Sequence, residues 1–244
     1  MGTSRHIPPP TGSAALTRAW VRHFSKPAAI GITLAFVAGY VDVTGFVALF
    51  GLFTAHMTGN FVMIGVKMFG SADAGVLAEL LALPVFVGSV AMVKVIVQRF
   101  SNTRRNPLRL LLTLQTILLL GFMIIGLAAQ PIVSADAPLA VLSGMLGVAA
   151  LAIQNAIGRL DLSGTTPTTL MTGNTAQIVT DIVELASGHC DDGKAAKARL
   201  RKTIPVLSAF VAGAVSGCFV YHCAGFLCVL LPVVLLMALA SANA

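Results

Sequence analysis

Met57-Thr58-Gly59-Asn60 returns later in the chain as Met171-Thr172-Gly173-Asn174, each time between long apolar segments. Upstream of the first copy, Asp42-Val43-Thr44-Gly45 is weakly echoed by Asn155-Ala156-Ile157-Gly158 before the second. Downstream, each copy runs through a short helix-like stretch into a long apolar segment with a proline near its start, Pro84 and Pro205. A polar tetrapeptide repeated inside apolar halves predicts two related half-domains, and transporters and channels often build one site between such halves.

The composition places the chain in a bilayer. Of 244 residues, 57% are hydrophobic and 10% charged, against about 25% charged in an ordinary soluble domain. Six stretches approach or exceed the roughly 20 apolar residues that cross a membrane: about 28–49, 75–97, 108–129, 137–158, 204–221 and 223–241. The last two are nearly contiguous, so a tight hairpin is expected at Tyr221, His222 and Cys223. The first 26 residues read as a basic tail with Pro8-Pro9-Pro10, and Ala14–Phe24 has the composition of an interfacial helix with Trp20 at headgroup level. The apolar run that follows is too long for the core of a cleaved signal peptide and reads as a first transmembrane helix.

Charge sets the expected topology. The formal net charge is +7, and the basic residues cluster in the tail, around Arg99, Arg104, Arg105 and Arg109, and from Lys194 through Lys197, Arg199 and Arg201 to Lys202. The connections at 130–137 and 221–223 hold no Lys or Arg. This is the positive-inside pattern, with Lys67 as its exception, and it puts both termini and both basic loops in the cytoplasm of a multi-pass membrane protein. A nucleic-acid partner is excluded, because neutralising a run of phosphates needs a continuous basic face.

Six crossings leave two segments over, 50–74 and 159–190, and these hold the repeated motif. Each must enter and leave from one side, so each is expected to be a re-entrant half-helix. Three crossings per half is an odd number, so the second half is inverted relative to the first. The expected fold is therefore all-α and polytopic: about six transmembrane helices plus two re-entrant half-helices in two inverted repeats, about 27–129 and 137–241. These form one membrane domain, 27–241, after a cytoplasmic tail, 1–26. The two motifs are expected to meet near the midplane.

The motif chemistry suits a site there. A half-helix that starts inside a membrane exposes about four unpaired N–H groups. Thr or Asn can cap them, Gly lets the backbone approach a ligand, and the positive helix end suits an anion or a carboxylate. A purely structural role, capping and packing a re-entrant turn, explains the same residues. Asp42 lies inside the first span, where a carboxylate normally faces a partner or a cavity. His56 is its expected partner in a protonatable pair; the alternative is a neutral Asp42 bonded to backbone at a helix break near Gly39 or Gly45. Asn155 supplies an amide where the first half has a carboxylate, so a shared site would be asymmetric. The candidate substrate-binding residues are Asp42, His56, Thr58, Gly59, Asn60, Asn155, Thr172, Gly173 and Asn174. Glu79 reads as reaching the outer interface, and Asp181 and Glu184 as solvated at the cytoplasmic mouth.

Gly39-Tyr40-Val41-Asp42, Gly45-Phe46, the run Gly51–Asn60, Gln154-Asn155 and Met171-Thr172-Gly173-Asn174 together resemble the YoaK family of bacterial inner-membrane proteins, over roughly residues 28–240. The resemblance implies a polytopic membrane protein and supplies no substrate.

Other chemistry is absent from the sequence: there is no GxxxxGK[ST], no HExxH and no GxSxG. No cofactor, catalytic residue or metal site is expected; His189-Cys190 and His222-Cys223 fall on opposite membrane faces. Gly213-Ala214-Val215-Ser216-Gly217 is a GxxxG that permits close helix packing, within the chain or between protomers. The leading reading is a transporter or channel for a small, anionic or carboxylate-bearing solute, proton-coupled through Asp42. The alternative is a non-transporting accessory or scaffolding membrane protein. A chain of 25.2 kDa is small for a transporter, which makes a homodimer an expected assembly.

Overall fold

The computed structural model describes residues 26–70, 75–101, 107–160, 166–187 and 193–243. The tail with Trp20, the loop around Arg104 and Arg105, and His189-Cys190 lie outside the described residues. The helices are α1 (Pro27–Ala48), α2 (Met57–Phe69), α3 (Leu77–Ser101), α4 (Leu108–Ala128), α5 (Pro138–Arg159), α6 (Met171–Ser187), α7 (Gly193–Ala224) and α8 (Leu230–Ala242), with a 3₁₀ turn at Gly225–Val229 before α8. Among the described residues there is no strand. Four single helices, and the Gly193–Ala242 stretch, are long and apolar enough to cross a membrane.

Length separates two kinds of helix. At about 1.5 Å per residue, α2 and α6 are about 20 and 25 Å long and fall short of the roughly 30 Å hydrocarbon layer. By the same measure α7 is about 48 Å long and outruns it. Its first turns carry Lys194, Lys197, Arg199, Arg201 and Lys202, which explains why an apolar reading alone starts this span only at residue 204.

Packing fixes the directions. A Cβ on Gly213 would overlap the Phe36 carbonyl oxygen, and one on Gly217 would lie 2.7 Å from the Tyr40 carbonyl oxygen. The two helices therefore run parallel, with backbones in contact: the GxxxG works within the chain, against α1. The start of α3 lies beside the start of α5, where the Leu77 N–H donates to Asp136 Oδ1 at 3.1 Å, so α3 and α5 also run parallel. Helices α4 and α5 are antiparallel: Ser143 Oγ donates to the Phe122 carbonyl at 2.9 Å, and Gln115 Nε2 to Gln154 Oε1 at 2.8 Å. Gly126 faces Phe226, while Arg109 and Thr113 share a cleft with Ala240 and Ser241, so α8 runs back along α4. The expected reversal at 221–223 falls slightly later, at Gly225, whose φ of +56° is a left-handed conformation that glycine adopts at little cost.

Helices α1 and α5 form the centre. Of their apolar windows 67% and 72% is buried, against 17% for α3. Few residues of the half-helices are buried: Asn60 in α2, and Met171, Asn174 and Asp181 in α6.

Candidate functional site

The approach to the first motif is made by a turn and a slot. After α1, Phe50 and Gly51 take φ values of +54° and +93° and send the chain back along α1. Small residues make room for it. A Cβ on Gly45 would lie 2.7 Å from Thr54 Cγ2, one on Gly147 would lie 3.0 Å from the same atom, and one on Gly144 would overlap Leu52. Leu52 and Thr54 are consequently fully buried. The return ends beside Asp42, and α2 then reverses direction again, bringing Met63 back to Gly51.

Asp42, 5% exposed, anchors that return. Its Oδ1 accepts the Ala55 N–H at 2.6 Å and the Thr54 hydroxyl at 3.3 Å. His56 Nδ1 lies 2.6 Å from Oδ2. The carboxylate is thus both a backbone anchor and half of a titratable pair. His56 is the more open partner, its side chain 33% exposed. Its ring stands edge-on to Phe210 of α7 at 5.8 Å and to Phe53 at 6.1 Å.

A cavity of about 440 Å³ opens on this pair. Asp42, His56, Thr58 and Gly59 line it with Gly39, Val43 and Phe46 of α1, Phe53, and Phe210 and Ala214 of α7. His56 occupies the N-cap position of α2 but makes no side-chain cap. The amides of Met57 and Thr58 have no preceding turn to bond, so the cavity meets the positive end of a half-helix.

The two asparagines of the repeat do not cap their helices either. Each reaches back seven residues across the turn. Asn60 Nδ2 donates to the Phe53 carbonyl at 2.9 Å, and Asn60 Oδ1 accepts the Phe53 N–H at 2.9 Å. Asn174 Nδ2 donates to the Pro167 carbonyl at 2.9 Å. Both are buried clamps that close the turn before their helix.

The second motif lies elsewhere along the same seam. Met171 packs with Ala35 of α1 and Val206 of α7, seven residues along α1 from Asp42, about 10 Å at the helical rise. Thr172 and Gly173 are exposed on α6, and Asn155 Nδ2 donates to Thr169 Oγ1 at 2.8 Å. None of Asn155, Thr172, Gly173 and Asn174 lines the Asp42 cavity. The cavity thus gathers the first motif alone, and the start of the second packs against the same two helices about 10 Å away.

Two expectations about charge are corrected. Lys67 of α2 and Glu79 of α3 form a 2.5 Å ion pair with side chains 7% and 0% exposed, so the exception to the charge rule and the supposed interfacial acid neutralise each other. Asp181 is buried rather than solvated: Arg199 of α7 donates to its Oδ1 from Nε and Nη2 at 2.9 and 2.6 Å. Glu184 stays open, 3.5 Å from the same guanidinium.

Sequence reasoning missed a buried polar relay. Gln115, inside Leu110-Leu111-Leu112-Thr113-Leu114-Gln115 of α4, donates to Gln154. Gln154 Nε2 in turn reaches the Leu34 carbonyl at 2.7 Å and Thr168 Oγ1 at 3.0 Å. Gln115 Oε1 is buried without a protein partner among the described residues. Two neutral amides among leucines were the available signal. Among the described residues no group of three His, Cys, Asp or Glu side chains could hold a metal.

A helical bundle of apolar spans, with half-length helices set against it and ionisable groups at their ends, defines an all-α polytopic membrane protein. The chain belongs to the family described as "Protein of unknown function (DUF1275)", whose model matches residues 30–242. It is similar to the UPF0700 transmembrane protein YoaK of Bacillus subtilis (strain 168), 30% identical over 172 residues that span 70% of this chain and 72% of that protein. No solved structure matches the chain.

Proposed function

We propose that this protein is a secondary transporter or channel for a small solute in the bacterial inner membrane, and not an enzyme. The observation that carries the reading is the Asp42–His56 pair, set at the start of a half-length helix and lining a cavity of about 440 Å³. Carboxylates inside a membrane protein mark solute or proton pathways, and His is the side chain that changes charge near neutral pH. A protonated His56 beside the positive end of α2 favours a carboxylate or another small anion, with Phe46, Phe53 and Phe210 covering its apolar part. Loss of that proton removes the attraction, which couples solute to proton.

The architecture in this reading is six crossings and two re-entrant half-helices in inverted repeats, with both termini cytoplasmic. Its support is the matched pairing of elements. Helix α1 runs parallel to α7 as α5 does to α3, and the two asparagine clamps have the same seven-residue reach. Lys67 and Asp181 each stand ten residues after the first methionine of their motif, and each pairs with the next long helix. Half-helices at membrane depth need protein or water over them; a second copy of the chain, in a homodimer, supplies that cover for α2 and α6.

The test is a thermal-shift screen of the purified protein in detergent with small anions and carboxylates at pH 6 and pH 8. His56→Gln is run alongside, since it keeps a donor toward Asp42 but cannot become charged. The expected result is a ligand that stabilises the native protein more at pH 6 and loses this preference in the variant. No stabilising ligand at either pH would overturn the reading in favour of a scaffolding protein, for which Asp42 and the two asparagines are clamps and nothing more.

A further inference from the structure

A second cavity, of about 390 Å³, lies between the first turns of α1 and the basic stretch of α7. Gly31, Ile32 and Val206 give it an apolar lining, and Arg201 and Lys202 stand exposed at its edge. On both helices this is the level where charge gives way to apolar sequence: Lys26 precedes Pro27, and Lys202 precedes the run from Ile204. Such a level in a spanning helix is the headgroup boundary. The neighbouring cation on α7 is already used, since Arg199 is held by Asp181 and Glu184. Among the described residues, neither Arg201 nor Lys202 meets a carboxylate within 4 Å.

We propose that this groove binds an anionic phospholipid, with Arg201 and Lys202 holding the headgroup phosphate and Ile32 and Val206 packing the upper acyl chain. Paired cations over an apolar slot match a ligand with a negative head and a hydrocarbon tail. A free phosphate would leave the slot unused, and a zwitterionic headgroup brings its own cation against the two. Basic pockets between transmembrane helices are recognised sites for acidic lipid heads. Thr166 lines the same groove, one residue before the carbonyl that Asn174 clamps, so the bound lipid also braces the chain entering the second re-entrant turn.

The experiment is native mass spectrometry of the full chain, released from nanodiscs of mixed phosphatidylglycerol and phosphatidylcholine. Wild type is compared with Arg201→Gln/Lys202→Gln and with Lys194→Gln/Lys197→Gln, which loses the same charge from the same helix outside the groove. Wild type and the outer variant should retain phosphatidylglycerol in preference to phosphatidylcholine. The groove variant should bind it roughly thirtyfold more weakly, about fivefold for each interfacial cation. Ile32→Trp, which fills the slot and leaves both cations, should reduce retention as well. Equal retention in all variants, as when another part of the chain fills the groove, would overturn the proposal. So would displacement of the lipid by inorganic phosphate at millimolar concentration, which would mark a phosphate site without use for a tail.

Discussion

Asn60 holds both backbone groups of Phe53, whereas Asn174 holds the carbonyl of Pro167, a residue that brings no N–H. With about 1 kcal/mol net for each such bond, Asn60→Ala should cost about 2 kcal/mol and Asn174→Ala about 1 kcal/mol. Denaturant unfolding of the two variants in one detergent measures the difference, and equal losses would contradict the clamp geometry. Asp42 has two roles that substitution separates. Asp42→Ala strands the Ala55 N–H and the Thr54 hydroxyl in a buried site, at about 1–3 kcal/mol for each group. Asp42→Asn keeps an acceptor for the amide and should lower the melting temperature distinctly less, while altering the pH dependence of ligand binding, since His56 loses its carboxylate partner. An equal loss of stability in both variants would mean that the carboxylate charge, not its acceptor oxygen, holds the turn.

Between elements, contacts are either backbone-close or ionic, and each kind predicts its own failure. Helices α1 and α7 touch through Gly39, Gly213 and Gly217, with carbonyl groups where side chains would be. Gly213→Leu should separate the two helices and abolish a monodisperse peak in size-exclusion chromatography. Val215→Leu, on an exposed face of the same helix, should leave the profile unchanged. The Lys67–Glu79 pair is buried on both sides. Removing one partner of such a pair strands a charge and costs about 3–5 kcal/mol, whereas replacing both with apolar residues is often neutral. Lys67→Met should therefore destabilise strongly, and Lys67→Met/Glu79→Met should recover most of the loss in thermal unfolding. A double variant no more stable than the single one would show that the pair contributes more than mutual neutralisation.

For the whole molecule, the parallel pairs α1/α7 and α3/α5 and the return of α8 along α4 fix which ends lie together, and the proposed orientation makes one end extracytoplasmic. Cys223, exposed near the Gly225 reversal, belongs to that end with Tyr221, Gln130 and Phe50, which line a common outer cleft. With the other cysteines changed to serine, Cys223 should react with a membrane-impermeant maleimide in intact spheroplasts. A cysteine placed at Lys197 should react only after lysis. The opposite pattern would invert the topology without altering the fold.

Apolar length and the placement of Lys and Arg were enough to read an all-α polytopic chain from its sequence, because bilayer thickness and the cost of buried charge act on composition directly. The doubled Met-Thr-Gly-Asn also marked where the chain turns within the bundle. Partner choice was not legible. Whether Lys67 meets water or Glu79, whether Asp181 is solvated or held by Arg199, and whether two similar motifs share a cavity all depend on how helices distant in sequence are set side by side. Only the tertiary structure brings Phe210 to His56 and seats Leu52 and Thr54 against Gly144 and Gly147, because such contacts follow from close packing among α1, α5 and α7 rather than from any periodicity within one of them.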